Sequence, residues 1–132
     1  MQKKAIRIIV WHSNRESYRN LFKELNILLL LSQYILCLLT FVSNNKEQNF
    51  TNSETHNINT RHTSNLHSPV THLNIYQKGV YYSGIKIFNS LLQDIKTYID
   101  NTRTFKKVVK KFLHTNSFYS LNEYYDNNNI KF

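Results

Sequence analysis

Residues 102–114 read T-R-T-F-K-K-V-V-K-K-F-L-H, and this stretch carries the clearest structural signal in the chain. Its apolar residues recur three or four positions apart, which predicts a helix with one face turned towards a core. Asn101 or Thr102 can cap the start of this helix, because the side-chain oxygen of either residue can accept a backbone N–H. The apolar face comprises Phe105, Val108, Val109, Phe112 and Leu113.

The opposite face of the same helix is basic. Three uses of such a face are open: contact with a nucleic-acid backbone, the solvated side of an ordinary core helix, or contact with an anionic membrane surface. The whole chain has the same bias, with a formal net charge of +9, which favours polyanionic partners. The basic residues of this face are Arg103, Lys106, Lys107, Lys110 and Lys111.

The rest of the chain also favours helices within one small domain. Its 132 residues suffice for one ordinary domain at most, and two glycines and one proline leave few positions that break a helix. Apolar residues at helical spacing predict short helices over residues 2–10 and 15–25. The single cysteine, Cys37, excludes a disulfide framework within the chain. We therefore expect a mainly α fold, a small helical bundle with a long polar, disordered central linker.

Two further elements are predicted on either side of Ser83. Residues 73–82 read as a short extended segment in which Gly79 is a break. Ser83 can cap a helix that begins near Gly84 and continues without interruption to Asp100. The apolar face of that helix comprises Ile85, Phe88, Leu91, Leu92, Ile95 and Ile99.

The most apolar run begins at Ile27 and ends at Val42, and it contains no charged residue. A membrane-spanning helix needs roughly 20 apolar residues, so this run is slightly too short for the usual range. Ser32, Gln33 and Tyr34 interrupt its middle, and few basic residues follow it to set an orientation. Two interpretations stay open: a buried helix or helix pair, and a segment inserted in a membrane.

Residues 44–72 are polar, rich in Asn, Ser, Thr and His, and without periodicity, which predicts a disordered linker. Imidazole is a common zinc ligand, but structural zinc sites usually use closely spaced pairs of histidines or cysteines. The histidines here lie five or six residues apart, and Cys37 stands in the apolar run. No metal site is therefore predicted. The histidines of this segment are His56, His62, His67 and His72.

Basic and aromatic side chains are mixed from the end of this linker onwards. Such mixtures suit phosphate contact combined with stacking on unpaired bases. The alternative is that the tyrosines Tyr76, Tyr81 and Tyr82 pack a small core while the lysines keep the chain soluble. The candidate nucleic-acid-binding residues are Arg61, Lys78, Lys86, Lys106, Lys107, Lys110 and Lys111.

Residues 78–89, K-G-V-Y-Y-S-G-I-K-I-F-N, resemble one family in sequence. They are similar to the region downstream of the polymerase core in reverse transcriptases of non-LTR (LINE-type) retrotransposons. The similarity is collinear and covers nearly the whole chain. Its other parts are residues 2–9, 19–28, 105–107, 110–113 and 116–120.

The resemblance implies both a division of the chain and a role. Residues 1–43 would correspond to the end of the polymerase thumb followed by the apolar helix, and residues 44–72 to the linker. Residues 73–126 would form a basic helical C-terminal module, and residues 127–132 a frayed tail. An intact element of this family copies its RNA at a nicked chromosomal site, and the downstream region would help to hold template RNA or target DNA.

Two positions differ from the family's sequence pattern. Relatives have a proline at the position of Leu31, which would divide the apolar run into a turn and a helix. They often have another at the position of Leu92, which would end the helix that begins near Gly84. Without these prolines, the run is expected to look more like a membrane segment, and the helix is expected to continue.

Polymerase chemistry needs clustered carboxylates that hold two metal ions, and the acidic residues of this chain are scattered. Residues 124–127, Y-Y-D-N, superficially resemble the aromatic-x-Asp-Asp signature of reverse transcriptases. They hold one aspartate, Asp126, and they follow the region that should lie downstream of the polymerase. We therefore expect no catalytic site, cofactor or small-molecule substrate.

Together these features predict a non-catalytic C-terminal fragment of a LINE-type reverse transcriptase, with weak binding to an RNA or DNA backbone at most. The alternative is a small membrane-associated protein, with residues 27–42 inserted and the basic helix on an anionic leaflet. A third interpretation is a translated remnant without function. An intracellular location is expected for the first, and a membrane location for the second.

Overall fold

The structure, a computed structural model, describes residues 1–11, 17–57, 61–70 and 72–129. This described part is mainly helical, as predicted, and contains no strand apart from an isolated antiparallel bridge between Thr51 and Leu66. The elements are α1 (Gln2–Val10), α2 (Tyr18–Glu24), α3 (Leu30–Asn44), a 3₁₀ turn (Lys46–Gln48), α4 (Asn52–His56), α5 (Asn74–Gln77), α6 (Val80–Asn89), α7 (Gln93–Lys96), α8 (Thr102–Asn116) and α9 (Leu121–Asn129).

The main core lies where α3 packs against both α6 and α8. Close approach of α3 and α6 depends on Gly84, because a Cβ atom at this position would lie 2.8 Å from Cγ2 of Val42. α9 closes the core with Tyr124, which is fully buried and donates a hydrogen bond to the Ile87 carbonyl at 2.9 Å. The largest buried side chains of this core are Phe88, Phe105, Phe118, Tyr124, Ile35 and Leu39.

The apolar run that begins at Ile27 is divided into a short non-helical segment and helix α3, although the run contains no proline. Helix α3 begins only at Leu30, whose N–H is bonded by the side chain of Gln2 at 3.0 Å. Leu31 therefore lies in the first helical turn. The backbone N–H groups of that turn have no partner within the helix, so a proline at this position would remove no intrahelical hydrogen bond. One side of α3 packs into the core, as in the buried-helix interpretation. Among the described residues, no helix is both long enough and apolar enough to cross a membrane.

A second, smaller apolar cluster joins α1 and α2. It consists of Ile6, Leu21, Phe22 and Leu29. Arg19 on α2 forms an ion pair with Glu123 on α9, and the Tyr119 ring lies beneath both Arg19 and Lys3. These contacts hold the N-terminal helix pair against the far end of the chain. Helix α2 begins at Tyr18 rather than at the predicted residue 15, and residue 15 lies outside the described residues.

Most of residues 73–82 are helical, so the extended segment predicted there is wrong. Helix α5 occupies part of it, and α6 already begins at Val80 with Gly79 as its N-cap residue. The Ser83 N–H donates to the Gly79 carbonyl at 3.0 Å, a helical bond that leaves Ser83 inside the helix rather than at its cap. Gly84 is likewise an interior residue, kept small by the neighbouring α3.

The uninterrupted helix predicted to reach Asp100 is also wrong. α6 ends at Asn89, and Leu92 is extended, with φ −58° and ψ 139°, before α7 begins. The bend buries Leu91 and lets Nζ of Lys96 donate to the Asn89 carbonyl at 2.8 Å. The φ of Leu92 lies within the range that a proline ring imposes, so the leucine adopts a φ angle that suits proline.

The disordered linker is not confirmed, because the described part of residues 44–72 contains helical turns and long-range hydrogen bonds. Thr51 and Glu54 form a capping box at the start of α4, and these hydrogen bonds lower the pKa of Glu54. Leu66 is buried in the main core. Near it, the His67 N–H donates to the Phe50 carbonyl at 2.8 Å. Residues 58–60 and 71 lie outside the described residues.

Helix α8 matches its prediction closely. Asn101 caps it, accepting the Thr104 N–H at 3.2 Å, and Phe105, Val109 and Leu113 are fully buried. Residues 127–129, in the tail predicted to be frayed, form the last turn of α9. Residues 130–132 lie outside the described residues.

Candidate nucleic-acid interface

The basic face of α8, formed by Arg103, Lys106, Lys107, Lys110 and Lys111, is exposed along its whole length. None of these side chains forms an ion pair with an acidic group in the described part of the chain. The two ion pairs found there join Arg19 to Glu123 and Lys46 to Asp100. The positive charge of α8 is therefore uncompensated by neighbouring side chains.

This arrangement does not serve the stability of the helix. Lys106 and Lys110 are four residues apart, as are Lys107 and Lys111, and like charges at this spacing destabilise a helix by roughly 0.2–0.5 kcal/mol per pair. Arg103 lies in the first turn, which contains no acidic residue, although the helix dipole favours negative charge there. A bound polyanion would offset both the repulsion between the lysines and the unfavourable interaction of Arg103 with the helix dipole.

A second group of candidate residues is assembled by residues 61–68, which lie against the bend between α6 and α7. The Asn89 side chain bonds the backbone of Leu66 twice, accepting its N–H at 2.8 Å and donating to its carbonyl at 2.9 Å. On α7, Nε2 of Gln93 donates to Oγ of Ser64 at 2.9 Å. The segment is thus fixed by side chains from both helices.

The buried Lys96 also attaches residues 61–68 to the α6–α7 bend. Its side chain is 7% exposed, and Nζ donates to Oδ1 of Asn65 and to the Asn89 carbonyl, both at 2.8 Å. The ammonium group also lies 5.7 Å from the centre of the Phe88 ring. Burial lowers the pKa of Lys96 to about 8, because removal from water disfavours the charged form.

A cleft of about 1010 Å³ lies between residues 61–68 and the α6–α7 bend. Arg61 and Lys86 are exposed at its edge, whereas Lys96 lies deeper. None of the described residues that line it is acidic, so the cleft is positively charged. Its polar and aromatic lining includes Tyr82, Asn89, Ser90, Gln93 and Asn128.

The structure brings together only some of the predicted binding residues. Arg61 and Lys86 share the cleft, and Nζ of Lys86 also lies 5.3 Å from the centre of the Tyr125 ring. Lys78 is exposed on the turn between α5 and α6 and does not line the cleft. Tyr82 lines it, whereas Tyr81 is exposed and does not. The side chain of Tyr76 lies outside the described residues.

Sequence reasoning did not identify Lys96, Asn65 or Asn89 as parts of this site. Lys96 was not among the predicted binding residues, and the two asparagines are not distinguished among the 18 in the chain. The only local signal is that Asn89 and Lys96 lie on either side of Leu92. This signal becomes useful only when a bend is placed at Leu92.

Residues 124–127 contribute to the core through Tyr124 and, in part, through Tyr125. Tyr124 is fully buried, and this burial raises the pKa of its hydroxyl far above the usual value. His56 and His67 approach each other, with ring centres 5.1 Å apart. Across the described residues, no group of three or more His, Cys, Asp or Glu side chains could hold a metal ion.

Comparison of the chain with protein-family models, with curated proteins and with solved structures finds no match. A function for this chain therefore has to be argued from its own sequence and from the charge and geometry of its surface.

Proposed function

We propose that this chain is a non-catalytic module that binds RNA or DNA weakly, related to the region downstream of the polymerase core in LINE-type reverse transcriptases. The observation that carries this proposal is the basic face of α8, with its exposed cations and no acidic partner among the described residues. The resemblance of residues 78–89 to that family supports the same conclusion.

Binding through this face would be electrostatic and sequence-independent. Each phosphate that a lysine or arginine neutralises releases counterions from a nucleic acid. For a single strand, the logarithm of the association constant then falls with the logarithm of salt concentration by about 0.7 per phosphate contact. Because α8 packs into the core through Phe105, Val109 and Leu113, the backbone that carries these side chains is ordered before binding occurs.

The proposal is tested by measuring fluorescence anisotropy of a labelled single-stranded RNA over a range of salt concentrations. The test variant replaces Lys106, Lys107, Lys110 and Lys111 with glutamine, which keeps the helix propensity of each position. The control variant makes the same change of net charge elsewhere. It replaces Lys4, Lys23, Lys46 and Lys131 with glutamine.

We expect the wild-type chain and the control variant to bind at low salt with a steep salt dependence. The α8 variant should bind far more weakly, with a slope shallower by about 3. Equal loss in both variants would show that only net charge matters, and the basic face would then not be the site. Absence of binding at low salt would refute the proposal, and binding only to anionic lipid vesicles would favour the membrane interpretation.

A further inference from the structure

The cleft offers more than the charge that a nucleic-acid backbone requires. One wall comes from residues 61–68 and the other from α6 and α7, so the site exists only when these parts are folded together. Its volume of about 1010 Å³ lies at the upper end of the usual range for small-ligand sites, roughly 300–1,000 Å³. α7 also packs against α8, so the cleft adjoins the helix that carries the basic face.

The edge of the cleft suits a phosphate group. Arg61 and Lys86 are both exposed there, and no described lining residue supplies a competing carboxylate. A guanidinium group can bond two phosphate oxygens at once, and a lysine adds a point charge beside it. These two residues would therefore hold a phosphate without excluding it from solvent.

The interior of the cleft suits the edge of a base. Two of the three N–H groups of Lys96 are bonded to Asn65 and Asn89, which leaves one donor. The amide nitrogen and oxygen of Asn128 are both buried. The Asn128 side chain lies beside the Tyr124 hydroxyl, and within the described part of the chain neither amide atom makes a hydrogen bond of normal geometry. A base edge carries donors and acceptors that would satisfy such groups.

Tyr82 supplies an aromatic surface in the same cleft. Stacking of a base on an aromatic ring is tolerant of sequence, and it requires a base that has left its own stack. In a duplex the bases are paired and stacked, so they cannot enter a cleft of this kind. An unpaired base of a single strand can be turned out towards the protein.

We propose that the cleft binds one unpaired nucleotide of a single strand, with its phosphate on Arg61 and Lys86 and its base against Tyr82. This inference rests on the proposed function and adds a preference to it. The basic face of α8 contacts the backbone of any nucleic acid, whereas the cleft accepts only a nucleotide outside a duplex. The chain should therefore bind a single strand more tightly than a duplex of the same sequence.

The experiment compares binding of single-stranded RNA and of the matching RNA duplex by the full chain and two pairs of variants. Tyr82→Leu removes the ring in the cleft but keeps an apolar side chain, and Tyr81→Leu makes the same change on the adjacent exposed position. Lys86→Gln removes one cation at the cleft edge, and Lys23→Gln removes one from α2. Tyr82→Phe keeps the stacking surface.

We expect Tyr82→Leu to weaken single-strand binding by about tenfold and to leave duplex binding unchanged. Tyr82→Phe and Tyr81→Leu should bind like the wild-type chain. Lys86→Gln should reduce the salt slope for the single strand by about 0.7 more than Lys23→Gln does. Circular dichroism of each variant shows whether the helical fold is retained.

The outcomes separate the two proposals. If the wild-type chain binds neither RNA, the proposed function fails. If it binds both equally, or if the Tyr82 and Tyr81 variants behave alike, the cleft proposal is overturned while binding through α8 remains. Tight binding of a free mononucleotide, with no gain from a strand, would also overturn it, because the cleft would then serve a soluble nucleotide.

Discussion

The basic face of α8 and the cleft are two positively charged surfaces built in different ways. The first belongs to one helix, whose cap, buried stripe and charged side all lie between Asn101 and Asn116. The second requires residues 61–68, α6 and α7 to meet, and it depends on hydrogen bonds between residues 23 to 31 positions apart. A surface of the first kind persists as long as its helix does, whereas the second is lost when a few side-chain contacts are broken.

The largest difference between the two regions should appear when proline is introduced into each. Lys107→Pro, in the middle of α8, removes a helical hydrogen bond and should lower the free energy of unfolding by about 3 kcal/mol or more. Leu92→Pro, at the α6–α7 bend, should change it by less than about 1 kcal/mol, because the φ of −58° already suits proline. Chemical denaturation measures both. Equal losses would show that the bend is not a preformed interruption.

The next effect concerns the side chain that fixes residues 61–68. Asn89→Ala removes both hydrogen bonds to the Leu66 backbone and should cost about 2 kcal/mol, because Leu66 is buried and its polar groups lose their partners. Asn101→Ala removes the cap of α8 and should cost about 1 kcal/mol. A smaller loss for Asn89→Ala than for Asn101→Ala would contradict the attachment described for the cleft.

A pH dependence should distinguish the buried Lys96 from the exposed lysines of α8. Its pKa is about 8 in the folded chain, whereas an unfolded lysine titrates near ~10.4. The folded state therefore releases this proton first, and the cost of burying the charge is present below pH 8 and is relieved as the pH rises. Between about pH 8 and 9, stability should increase by about 1 kcal/mol.

The matched variant for this measurement is Lys96→Met, which should abolish the increase with pH. The measurement is kept below about pH 10, because the tyrosines of the unfolded chain begin to ionise near that pH. Above it, Tyr124 acts in the opposite direction, since burial raises its pKa and the folded state then holds its proton longer. Urea denaturation at several pH values would reveal the increase, and a flat profile for the wild-type chain would contradict it.

An effect of about the same size concerns the contact between α3 and α6. Gly84→Ala should destabilise the chain by about 1 kcal/mol, because the added methyl group meets Val42 in a packed core. Higher helix propensity offsets part of this cost, since alanine is favoured over glycine by roughly 0.5–1 kcal/mol. Ser83→Ala, one residue earlier, should be close to neutral. Stabilisation by Gly84→Ala in thermal denaturation would show that α3 and α6 are not so close.

The same contrast explains how much of the molecule could be predicted from its sequence. For α8, the helix, a cap at Asn101 or Thr102 and the two faces were predicted, because each follows from residues within a few positions of one another. The break after Asn89 was missed, since its cause is the burial of Leu91 and the reach of Lys96 back to Asn89. Composition also suggested a disordered linker, although Leu66 provides an apolar anchor within it.

For the candidate site, the sequence supplied Arg61 and Lys86 but not their neighbourhood. Their charge and the resemblance of the surrounding residues made them candidates, while their common cleft depends on the folding of residues 61–68 onto α6 and α7. Lys78 was predicted on the same grounds, and it lies outside that cleft. Charge therefore identified residue types, and only tertiary structure determined which of them share a site.

The most direct test of the central claim is an NMR titration of the isotope-labelled chain with a short single-stranded RNA at low salt. We expect the backbone amide shifts to concentrate on residues 103–111 of the basic face and on residues 61–68 and 86–93 around the cleft, and to fade as salt is added. Shifts confined to α1 and α2, or no shifts at low salt, would contradict the assignment of these two surfaces to nucleic-acid binding.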